Sequence, residues 1–398
     1  MMPFGVVNNM NYVFIGDVFK VSSGGTPNRK KPEYFDGGTI PWVKTGELKG
    51  KFANKPAEFI TQTALENSSA KVFPPKTVLL AMYGATIGAC SILDFEAATN
   101  QACAAILPTE DCDEVYLYYY LSSIKPTLVS KGVGGAQPNI SAGLIKKIKI
   151  PLLPLDEQKK IVAILDAADA LRQKDAQLIA KYNDLSQSLF LDMFGDPVTN
   201  PKGWGNTSLE NVCKNIYGGG TPSKSKPEYF IGSIPWVTPK DMKQAYINDS
   251  IDHINDVAVN NSSAKLIPVG AVLMVIRSGI LKHTLPLAIT TGEITINQDM
   301  KAFIPCKDKT NSQFLMHYFM AVERFLLGKV RAVTADNIEF RQIKKLPFPA
   351  PPITLQNQFA ERIQAIEAQK QQAQAALQKS EDLFNSLLQR AFKGELTQ

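Results

Sequence analysis

The chain is written twice. Gly24-Gly25-Thr26-Pro27, Lys31-Pro32-Glu33-Tyr34-Phe35 and Ile40-Pro41-Trp42-Val43 return as Gly219-Gly220-Thr221-Pro222, Lys226-Pro227-Glu228-Tyr229-Phe230 and Ile234-Pro235-Trp236-Val237. The offset is 195 at the start and 194 after a one-residue gap. Asn67-Ser68-Ser69-Ala70-Lys71 returns as Asn261-Ser262-Ser263-Ala264-Lys265, and Asn100-Gln101 as Asn297-Gln298. Ordered matches across half the chain imply a tandem duplication. Two similar modules in one chain point to one ligand with two related half-sites.

Each copy has the same internal plan. A mixed segment rich in Gly, Pro, Asn and Thr comes first, over residues 1–150 and 198–350. Short apolar runs such as Thr77 to Met82 and Ala271 to Ile276 read as buried strands bounded by turns. Helices are expected around Val115 to Lys125 and Asn311 to Leu327, so each segment is an α+β domain. A proline-rich joint follows, at Ile150 to Pro154 and Phe348 to Pro352. Proline lacks a backbone donor and disfavours helix just before it, so each joint is stiff and extended.

After each joint lies a long helical pattern, in segments 151–197 and 351–398. Apolar residues fall at Ile161, Ile164, Leu165, Ala168, Leu171, Leu178, Ile179, Tyr182, Leu185, Leu189 and Met193 in the first. They fall at Leu355, Phe359, Ile363, Ile366, Ala373, Leu377, Phe384, Leu388 and Phe392 in the second. Steps of mainly three and four mark an amphipathic helix, and a narrow stripe on a helix this long needs a partner helix. The repeat copy is the partner expected, paired antiparallel as a two-helix coiled-coil spacer. That places the two domains at opposite ends of a rod. Gly195 and Gly394 follow the last apolar residues and read as helix C-caps.

Composition narrows the function. Of 398 residues, 44% are hydrophobic and 20% charged, which describes a folded protein rather than a disordered one. The net charge of +6 favours an anionic partner without naming it. Five cysteines, an odd number with no CxxC pair, argue against a disulfide framework or a zinc site and fit reduced thiols. The first residues lack a signal-peptide pattern, and no apolar run approaches the ~20 residues that span a bilayer. A cytoplasmic protein without membrane contact is the expectation.

No reactive constellation appears. The three histidines, His253, His283 and His317, all lie in the second copy. There is no phosphate loop of the GxxxxGK[ST] type and no repeated acidic pair. We therefore read the chain as a binder with no catalytic residue, no metal and no cofactor of its own.

Three pairs of loops are candidates for binding. The Gly-Gly-Thr-Pro turns carry Thr26, Arg29 and Lys30 in one copy and Thr221, Lys224 and Lys226 in the other; Lys44 and Lys240 follow nearby. A glycine turn exposing backbone N–H groups beside hydroxyls and cations suits phosphate, while Tyr34, Phe35 and Trp42 read as core. The second pair follows the buried strands: Tyr83 and Thr86 against Arg277, Ser278, Lys282 and His283. Equivalent position with different side chains is the expected mark of two readers of different half-sites. Arg277 suits guanine O6 and N7 in a major groove. The third pair sets Gln137 and Asn139 against Arg331, Thr334 and Asn337. Gln137 and Asn337 have side chains suited to adenine.

Taken together, these residues resemble one family. The two Gly-Gly-Thr-Pro … Ile-Pro-Trp-Val segments, Ala136-Gln137-Pro138-Asn139-Ile140-Ser141, and Pro154-Leu155-Asp156-Glu157-Gln158 opening a long helix resemble the specificity subunit of type I restriction–modification systems. Leu355-Gln356-Asn357-Gln358-Phe359 and the ending Ala391-Phe392-Lys393-Gly394-Glu395-Leu396 complete a likeness that covers essentially the whole chain. The resemblance implies two tandem target-recognition domains, each reading half of a bipartite double-stranded DNA site. It implies long helices that act as spacer and dock two methyltransferase subunits, with S-adenosylmethionine in those partners. A restriction/translocase subunit joins for cleavage, and rod length would set the unread gap. The second helix opens differently and is richer in Gln and Ala, so the two docking surfaces are expected to be unequal. Two alternatives stand beside this reading: the DNA-binding subunit of a related two-component system, or a helical adaptor that binds no DNA.

Overall fold

The computed structural model describes residues 11–54, 56–132, 139–332 and 336–396. The chain divides into two units, 1–176 with 375–398, and 177–374. The division passes through both long helices, Leu155–Phe194 and Ile353–Ala391. Each unit therefore holds half of one helix against half of the other.

The first unit is built on an antiparallel four-stranded sheet in the order Val21–Ser23, Cys103–Ile106, Val78–Ala81, Cys90–Ile92. The inner strands are apolar on both faces because both are covered. One face meets the helix Glu114–Ser123 through Leu80, Ile92, Tyr116 and Leu117; Leu79, Ala81 and Ala105 pack into a second, smaller core. A second sheet pairs Ile40–Val43 parallel to Ala97–Thr99, with Trp42 opposite Ala98. Ile161 and Leu165 of the central helix join Leu388 and Ala391 of the C-terminal helix, and Phe392 just after it, in the same core. Further along, Arg172 lies over the ring of Phe384, so the two helices run antiparallel.

The second unit repeats this design. Its five-stranded sheet runs Cys213–Gly218, Met300–Pro305, Val272–Val275, Leu287–Thr290, Tyr246–Ile247. Ile234–Val237 again lies parallel to Thr295–Ile296, with Trp236 opposite Thr295. Phe190, Phe194, Phe314 and Phe359 form an aromatic cluster, with Phe194 and Phe314 edge to face at 4.7 Å. The expected helix around Asn311 to Leu327 is two helices, Ser312–Ala321 and Glu323–Leu327, broken at Val322. The first-copy helix breaks likewise at Ile124.

The first turn of each long helix is tied to the unit that holds it by a buried glutamine. Gln158 Nε2 donates to the carbonyls of Leu153 and Asp111, and its Oε1 accepts from the Asp113 amide. Gln356 does the same with Pro351, Lys309 and the Asn311 amide, and also accepts from Thr310 Oγ1. The glycine caps behave as read: Gly195 has φ +77 and Gly394 φ +76, a region open to glycine.

The apolar stripe of the central helix divides into two. Ile161, Leu165 and Ala168 are buried, whereas Ile164, Leu171, Leu178 and Leu185, spaced every seven residues, are exposed by 37–48%. These four were read as part of the helix–helix seam and do not belong to it. Ile161 and Leu165 instead join the first unit's core together with Leu388 and Ala391 of the C-terminal helix. The corresponding positions of the C-terminal helix, 198 further on, are Arg362, Gln369, Ala376 and Leu383, and only the last is a large exposed apolar residue.

Candidate nucleic-acid interface

The Gly-Gly-Thr-Pro turns are structural. Gly25 N–H donates to the Thr99 carbonyl at 2.8 Å and Gly220 N–H to Ile296 at 2.9 Å. Gly24 and Gly219 likewise spend their amides on Cys103 and Met300. The expectation of backbone donors free for phosphate is thus incorrect, because the neighbouring strand segment consumes them. The glycines serve close approach instead: a Cβ on Gly25 would sit 2.3 Å from the Ser69 backbone, and one on Gly219 only 1.7 Å from the Asn297 carbonyl oxygen. Trp42 Nε1 and Trp236 Nε1 close each turn on the carbonyls of Gly25 and Gly220, at 3.1 and 3.0 Å. Tyr34 and Trp42 are core, as read.

The threonine hydroxyls are also engaged. Thr26 bonds to Gln101 and Thr221 to Gln298, which gives the repeated Asn-Gln pair a role the sequence had not assigned. Arg29 Nη2 pairs with Glu58 at 2.7 Å and lies over Trp42; Lys44 reaches the same carboxylate. Lys44 first, then Arg29, hold the Glu58 carboxyl below its ordinary range. In the other unit Asp252 takes the place of Glu58 and binds Lys240 at 2.7 Å. Both acids lie at the 194-residue offset of the repeat, a signal present in the sequence and not used. Lys226 Nζ meets Tyr229 Oη at 3.0 Å. Among the described residues Lys30 and Lys224 are exposed and have no ion pair.

The second and third loops come together in each unit. Tyr83 pairs with Asn139 through an isolated antiparallel bridge, and Arg277 pairs with Asn337 in the same way. Ile140 N–H donates to Met82 and Ile338 N–H to Ile276, both at 2.9 Å. Two segments far apart in sequence thus form one surface by the same backbone bonds in both copies. Their tips differ. Gly84 has φ +62 in the first, while Ser278 is extended in the second. Thr86 Oγ1 closes its own turn on the Tyr83 carbonyl at 3.0 Å. Ser278 caps a short helix, Lys282 Nζ lies 3.7 Å from Asp336, and His283 is exposed. Arg331 sits in a two-residue strand opposite Asn337. Gln137 and Thr334 lie outside the described residues.

The duplicated chain matches known proteins. The family model for the type I restriction modification DNA specificity domain matches residues 8–181 and again 201–379. The chain belongs to this family. It is a type I restriction–modification specificity subunit with two specificity domains. The type I restriction enzyme EcoR124I/EcoR124II specificity subunit of Escherichia coli is 33% identical over 67% of this chain and 67% of its own length. The MjaIX specificity subunit of Methanocaldococcus jannaschii is 28% identical over 63% and 62%. The aligned part thus spans about two thirds of those two relatives.

Solved structures share the fold. The specificity subunit from M. genitalium superposes with a TM-score of 0.53 at 15% identity, covering 98% of this chain and 99% of that one. A chain from a structural study of complex assembly in the type I system gives 0.61 at 19% identity, covering 99% and 100%.

Other features of the subunit are of a different kind. Among the described residues no helix is long and apolar enough to cross a membrane, and no group of three or more His, Cys, Asp or Glu is placed to hold a metal. The five cysteines are unpaired; burial pushes the thiol of Cys90 up to about 11 and those of Cys103, Cys112 and Cys213 up to about 12. These four stay protonated and unreactive at neutral pH.

Proposed function

We propose that this specificity subunit carries out no chemistry itself and reads a split double-stranded DNA sequence, one half with each domain. The observation that carries the reading is the pair of bridged loops. The Tyr83–Asn139 and Arg277–Asn337 bridges are built identically and present different side chains. Shared scaffold with divergent tips is what two different half-sites require. Arg29, Lys30, Lys44, Lys224, Lys226, Lys240 and Lys282 supply the surrounding cations for phosphates. Within that set Lys30 and Lys224 are the uncommitted charges; Arg29, Lys44 and Lys240 exchange an internal carboxylate for a phosphate on binding.

Methylation in this reading belongs to two partner methyltransferase subunits that hold S-adenosylmethionine, and a restriction subunit joins for cleavage. The exposed stripe Ile164, Leu171, Leu178 and Leu185 supports a docked partner, since an apolar row on a helix in water calls for cover. The weaker counterpart on the C-terminal helix supports unequal docking of the two copies.

Co-expression with the methyltransferase gene, followed by a genome-wide map of methylated adenine, tests the function. A split motif with a fixed gap that vanishes when this chain is deleted is the expected result. Exchanging residues 1–150 for those of a relative should change one half of the motif only; change in both halves would refute independent reading.

A further inference from the structure

We infer that the second domain reads a guanine with Arg277, and that Asp299 is the residue that positions the guanidinium before DNA arrives. The inference rests on the DNA-reading role proposed above and goes beyond it by naming a base and a mechanism.

Arg277 stands at the loop tip after the strand Val272–Val275, with 47% of its side chain exposed. Its Nε donates to Asp299 Oδ1 at 2.5 Å, and Nη2 forms an ion pair with the same oxygen. The aspartate is held in turn. Asn297 Nδ2 donates to its Oδ2 at 3.0 Å, and the Asp299 amide donates to Asn297 Oδ1 at 3.1 Å. Asn297 is 6% exposed. The main chain adds to the hold: the amides of Ile276 and Arg277 both donate to the Asp299 carbonyl, at 2.8 and 3.2 Å. A guanidinium has five N–H donors in a rigid fork. Nε is spent on Asp299 and Nη2 faces the same oxygen, so at least three donors remain, and guanine needs two for O6 and N7.

Why a clamp is needed follows from the side chain. A free arginine side chain samples many rotamers, and a contact must overcome the loss of that freedom. An arginine already fixed by a carboxylate loses little on binding, so more of the contact appears as discrimination between bases. The internal pair fixes the fork while the side chain stays about half exposed.

The first domain shows that the clamp is no requirement of the fold. Tyr83 occupies the position of Arg277 and makes the same bridge. Ala102 occupies that of Asp299, at the 197-residue offset of the Asn-Gln pair. Asn100, the counterpart of Asn297, keeps its place, and its Oδ1 is buried without a hydrogen-bond partner. The scaffold folds with the asparagine alone. The aspartate and arginine are additions of the second copy, and a purely structural role would call for them in both.

The test uses the assembled complex with its methyltransferase subunit and duplexes carrying the mapped motif. Each guanine is replaced in turn by 7-deazaguanine, which lacks the N7 acceptor. The native complex should lose roughly tenfold or more in affinity at one guanine of one half-site. Arg277→Ala should bind both duplexes alike. Asp299→Asn should show a reduced penalty at that same position. Discrimination in the other half-site should stay native in every variant, which also reports on folding. A full 7-deaza penalty retained in Asp299→Asn would overturn the positioning role. A uniform loss across all sequences for Arg277→Ala would make it a phosphate contact and overturn the base assignment. If the native complex binds no split sequence at all, the DNA-reading role itself fails; if it binds one in which no guanine depends on Arg277, this inference alone fails.

Discussion

His317 offers a direct test of how the second unit is packed. It lies on the helix Ser312–Ala321, 5% exposed. Its ring is stacked on Phe190 and edge-on to Phe359, 5.1 Å between centroids, and Nδ1–H donates to the Gln313 carbonyl at 2.8 Å. Burial lowers its pKa from 6.5 to about 4; Lys370 nearby pushes the same way, while the Gln313 bond opposes. The folded state therefore excludes a proton that the unfolded chain accepts. The stability tied to neutral His317 is complete above pH 6.5 and is lost as pH falls from there toward 4. At 1.36 kcal/mol per pH unit the whole effect is about 3 kcal/mol, and about 2 kcal/mol of it falls between pH 7.5 and 5. His317→Phe keeps a ring between Phe190 and Phe359 and removes the titration. Urea unfolding of the full chain measures this, in a Trp42→Phe background so that emission comes from Trp204 and Trp236 of the second unit. Unfolding free energy should fall by about 2 kcal/mol more from pH 7.5 to 5 with histidine than with phenylalanine. Equal falls in the two proteins would refute the burial argument.

Other perturbations separate the structural from the functional residues. Gly219→Ala forces a Cβ to within 1.7 Å of the Asn297 carbonyl and should destabilise the second unit by about 1–3 kcal/mol, read as a lower urea midpoint of the same tryptophan signal. Gln356→Leu strands the carbonyls of Pro351 and Lys309 and the Thr310 hydroxyl, costing about 1–3 kcal/mol for each group left unpaired, measurable on the same curve. Lys224→Ala should leave stability unchanged and reduce the slope of log affinity against log salt by about 0.9, the loss of one phosphate contact. Leu178→Asp, on the exposed row of the central helix, should shift the chain's own stability by less than about 0.5 kcal/mol yet abolish co-purification with the methyltransferase subunit.

The duplication, the strands Val78–Ala81 and Val272–Val275, the two long helices and their glycine caps were all legible in the sequence. Each depends on local periodicity or on self-comparison, which a linear string retains. The loops at Tyr83 and Arg277 were legible too, since equivalent position with unlike residues shows in an alignment of the chain with itself.

What the sequence left open depends on partners distant along the chain. Gly25 loses its donor to Thr99, and Thr26 its hydroxyl to Gln101, some 75 residues away. Ile161 and Ile164 are alike in the helical pattern, but only the packed core decides that one is buried and the other faces water. Arg277 reads as a free cation until the strand Met300–Pro305 brings Asp299 beside it. Local spacing settles which elements form, because the backbone repeats every 3.6 or 2 residues. Tertiary packing settles which donors, faces and charges remain for a ligand, because a group is available only when no other part of the fold has reached it first.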